Sequence, residues 1–283
     1  KYATKDPYFM TVGSDSDEGG HSAVQLKAST LGDVLKMQTG NKSKVYSVAL
    51  NPHAAVLSAG HSADGAYWFD GTNGNFISSS YFVDRFPEWV RNYNNQRIAD
   101  TYLNGRWETL LPIGSYTAGF ADDYNLEPGF WKQQNTFPYD LKKLSTKAET
   151  PYSILKATPF GNKMVKDFAA KLIQEAQLGL DEDPDLLAIT FSSLDFANGW
   201  YEPASVEMHD LYLRLDQDIA QLLQTLDQQV GRDQYVVFLT GVSTTDYSAK
   251  VRKKEFNFPG GEFAPQSALA LLRSYLNVLY GAG

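Results

Sequence analysis

The chain has 283 residues, 43% of them hydrophobic and 20% charged, which fits a folded domain with a real core rather than a disordered segment. Thirty-three acidic residues against 25 basic ones give a formal net charge of −8, a poor balance for a nucleic-acid binder. The absence of cysteine excludes disulfides, thiolate nucleophiles and cysteine-based zinc sites, and no apolar run approaches the roughly 20 residues of a membrane span.

The N-terminus, "KYATKDPYFMTVGSD", has no initiator Met and reads as cut from something longer. "GSDSDEGG" (13–20) resembles a calcium loop in outline. Counted from Asp15, the places where an EF-hand loop needs an oxygen ligand and its final glutamate hold Gly19 and Leu26, so an exposed loop is expected. "SKVYSVALN" (43–51) reads as a strand, and "AAVLSAG" (54–60) as a turn or short helix. "GAYWFDGTNGNFISSSYF" (65–82) reads as two strands around a Gly/Asn turn. Residues 86–103 read as a helix opening at Pro87. Residues 104–157, rich in aromatics, Gly and Pro, read as an irregular insertion or subdomain within a domain covering 1–283.

The second half is more regular. Residues 161–178 place Val165, Phe168, Ala169, Leu172, Ile173 and Ala176 on one helical face, with Asn162 as the expected N-cap. "DLLAITFSS" (185–193) reads as a buried strand. Residues 205–230 form a long amphipathic helix capped by Ser205. The run Tyr235, Val236, Val237, Phe238, Leu239 reads as a second buried strand. "KVRKKEF" (250–256) reads as a solvated loop, with a phosphate-contact patch as the alternative. Residues 264–281 read as a helix with Pro265 in its first turn and Gly281 past its end. Helix, strand, helix, strand with continuous apolar strands argues for an α/β fold, a mostly parallel central sheet with helices on both faces.

In such a sheet, ligands are held at the C-terminal ends of the strands. Asp195 follows "LLAITFSS" and could be a metal ligand or a loop cap. The strand at 235–239 delivers only Thr240, Gly241, Val242 and Ser243. The four histidines, His21, His53, His61 and His209, show no helical pairing. No G-x-S-x-G elbow is present.

The strings "SKVYSVALNPHAAVLSAGHSADGAYWFD", "TPFGNKMVKDFAAKLI", "LLAITFSSLDFANGWYEPASVEMHD" and "YVVFLTG" resemble the alkaline phosphatase superfamily. They look most like the periplasmic threonine-nucleophile phosphatases of Bacteroidetes, akin to nucleotide pyrophosphatase/phosphodiesterases. The resemblance implies two zinc ions, a threonine nucleophile, and a Lys/Arg pair on the transferring phosphoryl group. It also implies that the nucleophile and a first core strand would precede residue 1 and a distal His would follow residue 283. Of the family positions within this chain only Asp195 keeps its residue. Gly199 stands where a His ligand is expected, Val242 and Ser243 where an Asp-His pair is expected, and Asn51 and His53 where the Lys and Arg are expected. The expectation is therefore a catalytically degenerate protein, a pseudoenzyme, with no catalytic residues and no cofactor. It would serve as a binding or scaffold subunit with a protein partner in the cell envelope, without nucleic acid or a membrane span. The alternative is a metal-dependent phosphomonoesterase or phosphodiesterase with a rewired site, using zinc. There Asp195, Asp246, His53 and His209 would recruit a metal. A third reading is a small-ligand or glycan binder built on Trp68, Trp131, Trp200 and Tyr201, against ordinary aromatic packing.

Overall fold

The computed structural model describes residues 3–130, 134–146, 148, 150–241, 246–259, 261 and 263–281. Val242 and Ser243, and Trp131 of the aromatic set, lie outside the described residues. The chain divides into two compact units, Lys1–Thr245 and Asp246–Gly283.

The first unit opens with β1 (Thr11–Val12), α1 (Leu31–Gln38), β2 (Val45–Ala49), α2 (Pro52–Ala59), β3 (Gly65–Phe69) and β4 (Phe76–Ser79). Next come α3 (Glu88–Asn95), α4 (Ile98–Leu103) and a two-stranded ribbon of β5 (Arg106–Trp107) and β6 (Tyr139–Asp140). They are followed by α5 (Leu141–Ser145), a 3-10 turn (Pro151–Ala157) and α6 (Pro159–Glu175). The unit ends with β7 (Leu186–Thr190), α7 (Ser193–Ala197) and α8 (Val206–Leu226). The second unit carries α9 (Ala249–Phe256) and α10 (Pro265–Tyr280).

The main sheet runs β1-β4-β3-β2-β7. β2 is parallel to both β3 and β7, while β4 and β1 extend the sheet with antiparallel pairings. The strand alternation sorts side chains to two faces. Tyr67 and Phe69 point into the larger core with Val48, Phe76, Phe168 and Leu172; Ala66 and Trp68 point to the other face with Ala49, Val56 and Ile77 under α2. Phe76 stacks on Phe168 of α6 with ring centroids 4.3 Å apart. This burial on both faces is why β2 and β3 read as continuous apolar runs.

Several expectations need correction. The run at 235–239 belongs to no ladder among the described residues; the sheet ends at β7. Val236 and Phe238 are 78% and 87% exposed. An apolar, β-branched run records a demand for burial, but a partner strand must answer it, and β7 pairs only with β2. β7 itself is half-buried rather than buried, as an edge strand is. The helix expected over 86–103 breaks in two, because Arg97 adopts a left-handed conformation (φ 52°) between α3 and α4. α6 begins at Pro159, three residues before Asn162, so Asn162 is an internal helix residue and not a cap. Residues 250–256 lie in α9, where the Ser248 hydroxyl accepts from the Val251 N–H, so they are helical rather than a loop. Ser205 caps α8 as expected, accepting from the Met208 N–H at 3.1 Å.

Candidate functional site

The parallel strands β3, β2 and β7 end at one edge of the sheet. After β2, the Asn51 side chain accepts from the Ala54 N–H at 2.8 Å and Pro52 fills the first turn, so α2 starts at this edge. His53 lies in that first turn. Its Nδ1 is 2.6 Å from Thr4 Oγ1, and the same hydroxyl is 2.9 Å from His21 Nδ1. A hydroxyl donates one proton, so at most one imidazole accepts from Thr4 and at least one donates to it. The rings lie edge to face with centroids 5.3 Å apart. Burial, then the His53 charge, then Lys5 bring the His21 pKa down to about 4; burial also lowers that of His53, with Glu18 opposing. Both imidazoles are thus held in the neutral form at pH 7.

After β3, the fully buried Asp70 carboxylate accepts from the Ser14 and Ser16 hydroxyls at 2.7 and 2.8 Å and from the Thr72 N–H at 2.8 Å. Beside it, Lys156 from the 3-10 turn places Nζ 5.9 Å from the Phe69 ring centre and 5.6 Å from that of Phe196. Burial lowers the pKa of this amine, while Glu18 and Asp70 oppose the shift. Glu18 opposes the downward shift at both His53 and Lys156.

After β7, α7 carries Asp195 and Phe196. A reciprocal pair fixes its start: the Asn162 N–H donates to Ser193 Oγ and the Ser193 N–H to Asn162 Oδ1, both at 3.1 Å. Gly161 permits this approach, since a Cβ there would stand 2.7 Å from Ser193 Oγ and 2.9 Å from the Leu155 carbonyl. Gly199, four residues past Asp195, has φ +90°, a conformation that favours glycine.

Within the first unit Asp195, His53 and His209 form no metal group among the described residues. Asp246 accepts from Arg252 and from the Tyr247 N–H within the second unit. No three His, Cys, Asp or Glu groups among the described residues stand together as a metal site. With Gly199 unable to ligate, the residues described here do not fit a dizinc centre. The aromatic set also divides: Trp68 belongs to the core under α2, whereas Trp200 and Tyr201 pack in the larger core. Sequence reading missed the His21–Thr4–His53 chain and Lys156. The three residues of that chain are 17 and 49 positions apart, and no local spacing announces them.

The three-layer arrangement and its polar strand-end edge define an alkaline-phosphatase-like α/β protein. The model of the type I phosphodiesterase / nucleotide pyrophosphatase family matches residues 30–251, and the chain belongs to that family. A Myroides odoratus protein named calcium-transporting ATPase is 40% identical over 84% of this chain and 44% of its own length. Alkaline phosphatase PhoV of Synechococcus elongatus is 38% identical over 84% of this chain and 43% of its own. Alkaline phosphatase PafA of Elizabethkingia meningoseptica is 38% identical over 84% of this chain and 44% of its own. The crystal structure of wild-type PafA superposes with a TM-score of 0.90 at 34% identity, covering all of this chain and 54% of that one. The chain spans under half the length of the curated relatives it matches.

These likenesses overturn the expectation of a catalytically retired scaffold, and with it the expectation that no cofactor is needed. The replacements at Asn51, His53, Gly199, Val242 and Ser243 do not carry that expectation against relatives of 38% identity that bear the phosphatase name. Relatives carrying the phosphatase name hold more than half of their length outside the matched part.

Proposed function

We propose that the chain is a metal-dependent phosphoric ester hydrolase of the phosphomonoesterase/phosphodiesterase class, acting at the C-terminal edge of the β3-β2-β7 sheet in an extracytoplasmic compartment. The observation that carries this reading is the likeness to PafA, a TM-score of 0.90 over the whole chain at 34% identity. No described helix is long and apolar enough to cross a membrane. Zinc is the metal this reading implies. Asp195 is its family ligand among the described residues, and those residues alone do not complete a site, so no step is derived through it.

What the chain's own groups offer is electrostatic. A transferring phosphoryl group is stabilised by positive charge and by oriented donors. Lys156 is a half-buried amine at this edge, beside Phe69 and Phe196. His53, neutral and tied to Thr4, is suited to proton exchange rather than to fixed charge. The test is hydrolysis of a phosphomonoester and a phosphodiester by the protein with added zinc. Turnover that falls on the order of 10² in Lys156→Ala supports the reading. No turnover of either ester at any zinc concentration overturns it.

A further inference from the structure

The β3–β4 turn, the break between α3 and α4, and the 3-10 turn meet around a cleft of about 380 Å³ that the hydrolase reading leaves unused. That volume lies within the roughly 300–1,000 Å³ of small-molecule sites. Hydrogen bonds fix its frame. From the turn, Asn73 Oδ1 accepts from the Asn75 N–H and Asn73 Nδ2 donates to Ser14 Oγ, both at 2.9 Å. From the end of α3, Asn94 Oδ1 accepts from the Phe76 N–H at 3.0 Å and its Nδ2 donates to the Phe76 carbonyl at 2.8 Å, which clamps the helix to β4. From the break and the 3-10 turn, Arg97 Nε and the Tyr152 hydroxyl both donate to the Asp100 carboxylate. Gly74, at φ +78°, lets the turn close on this group, since a Cβ there would stand 2.8 Å from the Tyr152 ring and 2.9 Å from Ala99 Cβ. Arg97 holds a left-handed backbone (φ 52°, ψ 44°), which a non-glycine residue keeps only where its surroundings fix it.

Other polar groups of the lining have no task in the fold. The Thr72 hydroxyl and the side-chain amides of Asn75 and Asn95 line the cleft and make no hydrogen bond among the described residues. Each amide offers two N–H donors and an oxygen with two lone pairs, and a hydroxyl both donates and accepts. The lining holds one cation and one anion, Arg97 and Asp100, and they are paired with each other. An anion would compete with Asp100 for Arg97, and a cation with Arg97 for Asp100. Apolar lining is confined to Gly74, Ala99 and the ring of Tyr152, too little for an apolar ligand.

We propose that this cleft binds a neutral saccharide ring. Vicinal hydroxyls each donate and accept, and so do the three groups left unspent, Thr72, Asn75 and Asn95. The C–H face of a pyranose suits an aromatic wall such as Tyr152. A frame held by a strand, two helices and a turn keeps these groups in place before the ligand arrives, so little ordering is required on binding. The proposal needs nothing from the hydrolase reading.

The probes are the methyl glycosides of glucose, galactose, mannose and N-acetylglucosamine, followed by saturation-transfer NMR on the whole chain. At least one should show saturable transfer. Asn75→Ala combined with Asn95→Ala removes two amides that hold nothing in the fold. That variant should keep the circular dichroism and melting temperature of the wild type while its affinity falls tenfold or more. Lys156→Ala should bind the glycoside as the wild type does, whatever happens to ester turnover, which keeps the two readings apart. The proposal is overturned by an absence of saturable transfer from all four glycosides, or by unchanged affinity in the folded double variant. Equal loss in folded Lys156→Ala, or displacement of the glycoside by equimolar inorganic phosphate, overturns it as well.

Discussion

Asp210 shows how much a single buried charge organises. Its carboxylate is fully buried in α8 and accepts from the Trp107 indole at 2.7 Å, the Leu110 N–H at 2.6 Å, the Tyr116 hydroxyl at 2.7 Å and Arg214 Nε at 2.7 Å. Removing one partner of such a network strands the rest. Asp210→Ala should cost about 3–5 kcal/mol, read as a lowered urea midpoint with unchanged slope. His21 makes a pH prediction. Its folded pKa, about 4, lies below the unfolded 6.5, so the folded state binds fewer protons in between. The stability it permits is full above pH 6.5 and is lost as pH falls toward 4, by at most about 3 kcal/mol. Glu127 acts in the opposite window. With a folded pKa of about 9 against 4.5, its contribution is most favourable below pH 4.5 and falls as pH rises from there to 9. Urea midpoints against pH should therefore flatten between pH 6.5 and 4 in His21→Gln, and between 4.5 and 9 in Glu127→Gln.

At the scale of elements, the close approach of α6 to α7 positions Asp195. Gly161→Ala would push a methyl within 2.7 Å of Ser193 Oγ and 2.9 Å of a backbone carbonyl, and the carbonyl cannot yield cheaply. A loss of about 1–3 kcal/mol by thermal or urea unfolding is expected, with hydrolysis falling further than stability alone explains. α10 is exposed along its length, with Leu271, Val278 and Tyr280 at 73%, 81% and 81%. Such a run of exposed apolar side chains marks a contact surface. The protein should bind a hydrophobic dye in its native state, and Leu272→Glu with Leu276→Glu should reduce the signal.

For the molecule as a whole, the family likeness predicts that chelation abolishes ester hydrolysis and that zinc restores it, followed by elemental analysis beside the assay. Retained turnover after exhaustive chelation would separate the reaction from metal. Legibility followed the range of the forces involved. The helix expected over 205–230 was readable, up to its end at Leu226, because its stripe and its Ser205 cap are local. The strands β2 and β3 were readable because both faces are buried, which forces continuous apolar runs.

Positions and elements that depend on distant partners were not readable. Asn162 looks like a cap, since its type suits one; its role as half of a clamp to Ser193 needs α7 in place. Val236–Leu239 has the composition of a core strand, and only the sheet order shows that β7 is an edge. His21, Thr4 and His53 meet through a chain fold spanning 49 residues. By itself the sequence determined the class of fold, the family and the helix starts at Ser205 and Pro265, because these rest on short-range periodicity and on joined strings. Tertiary structure alone decided which polar groups share a site, which strand has a neighbour and which acids lost water, because convergence and desolvation depend on packing between segments that no local pattern encodes.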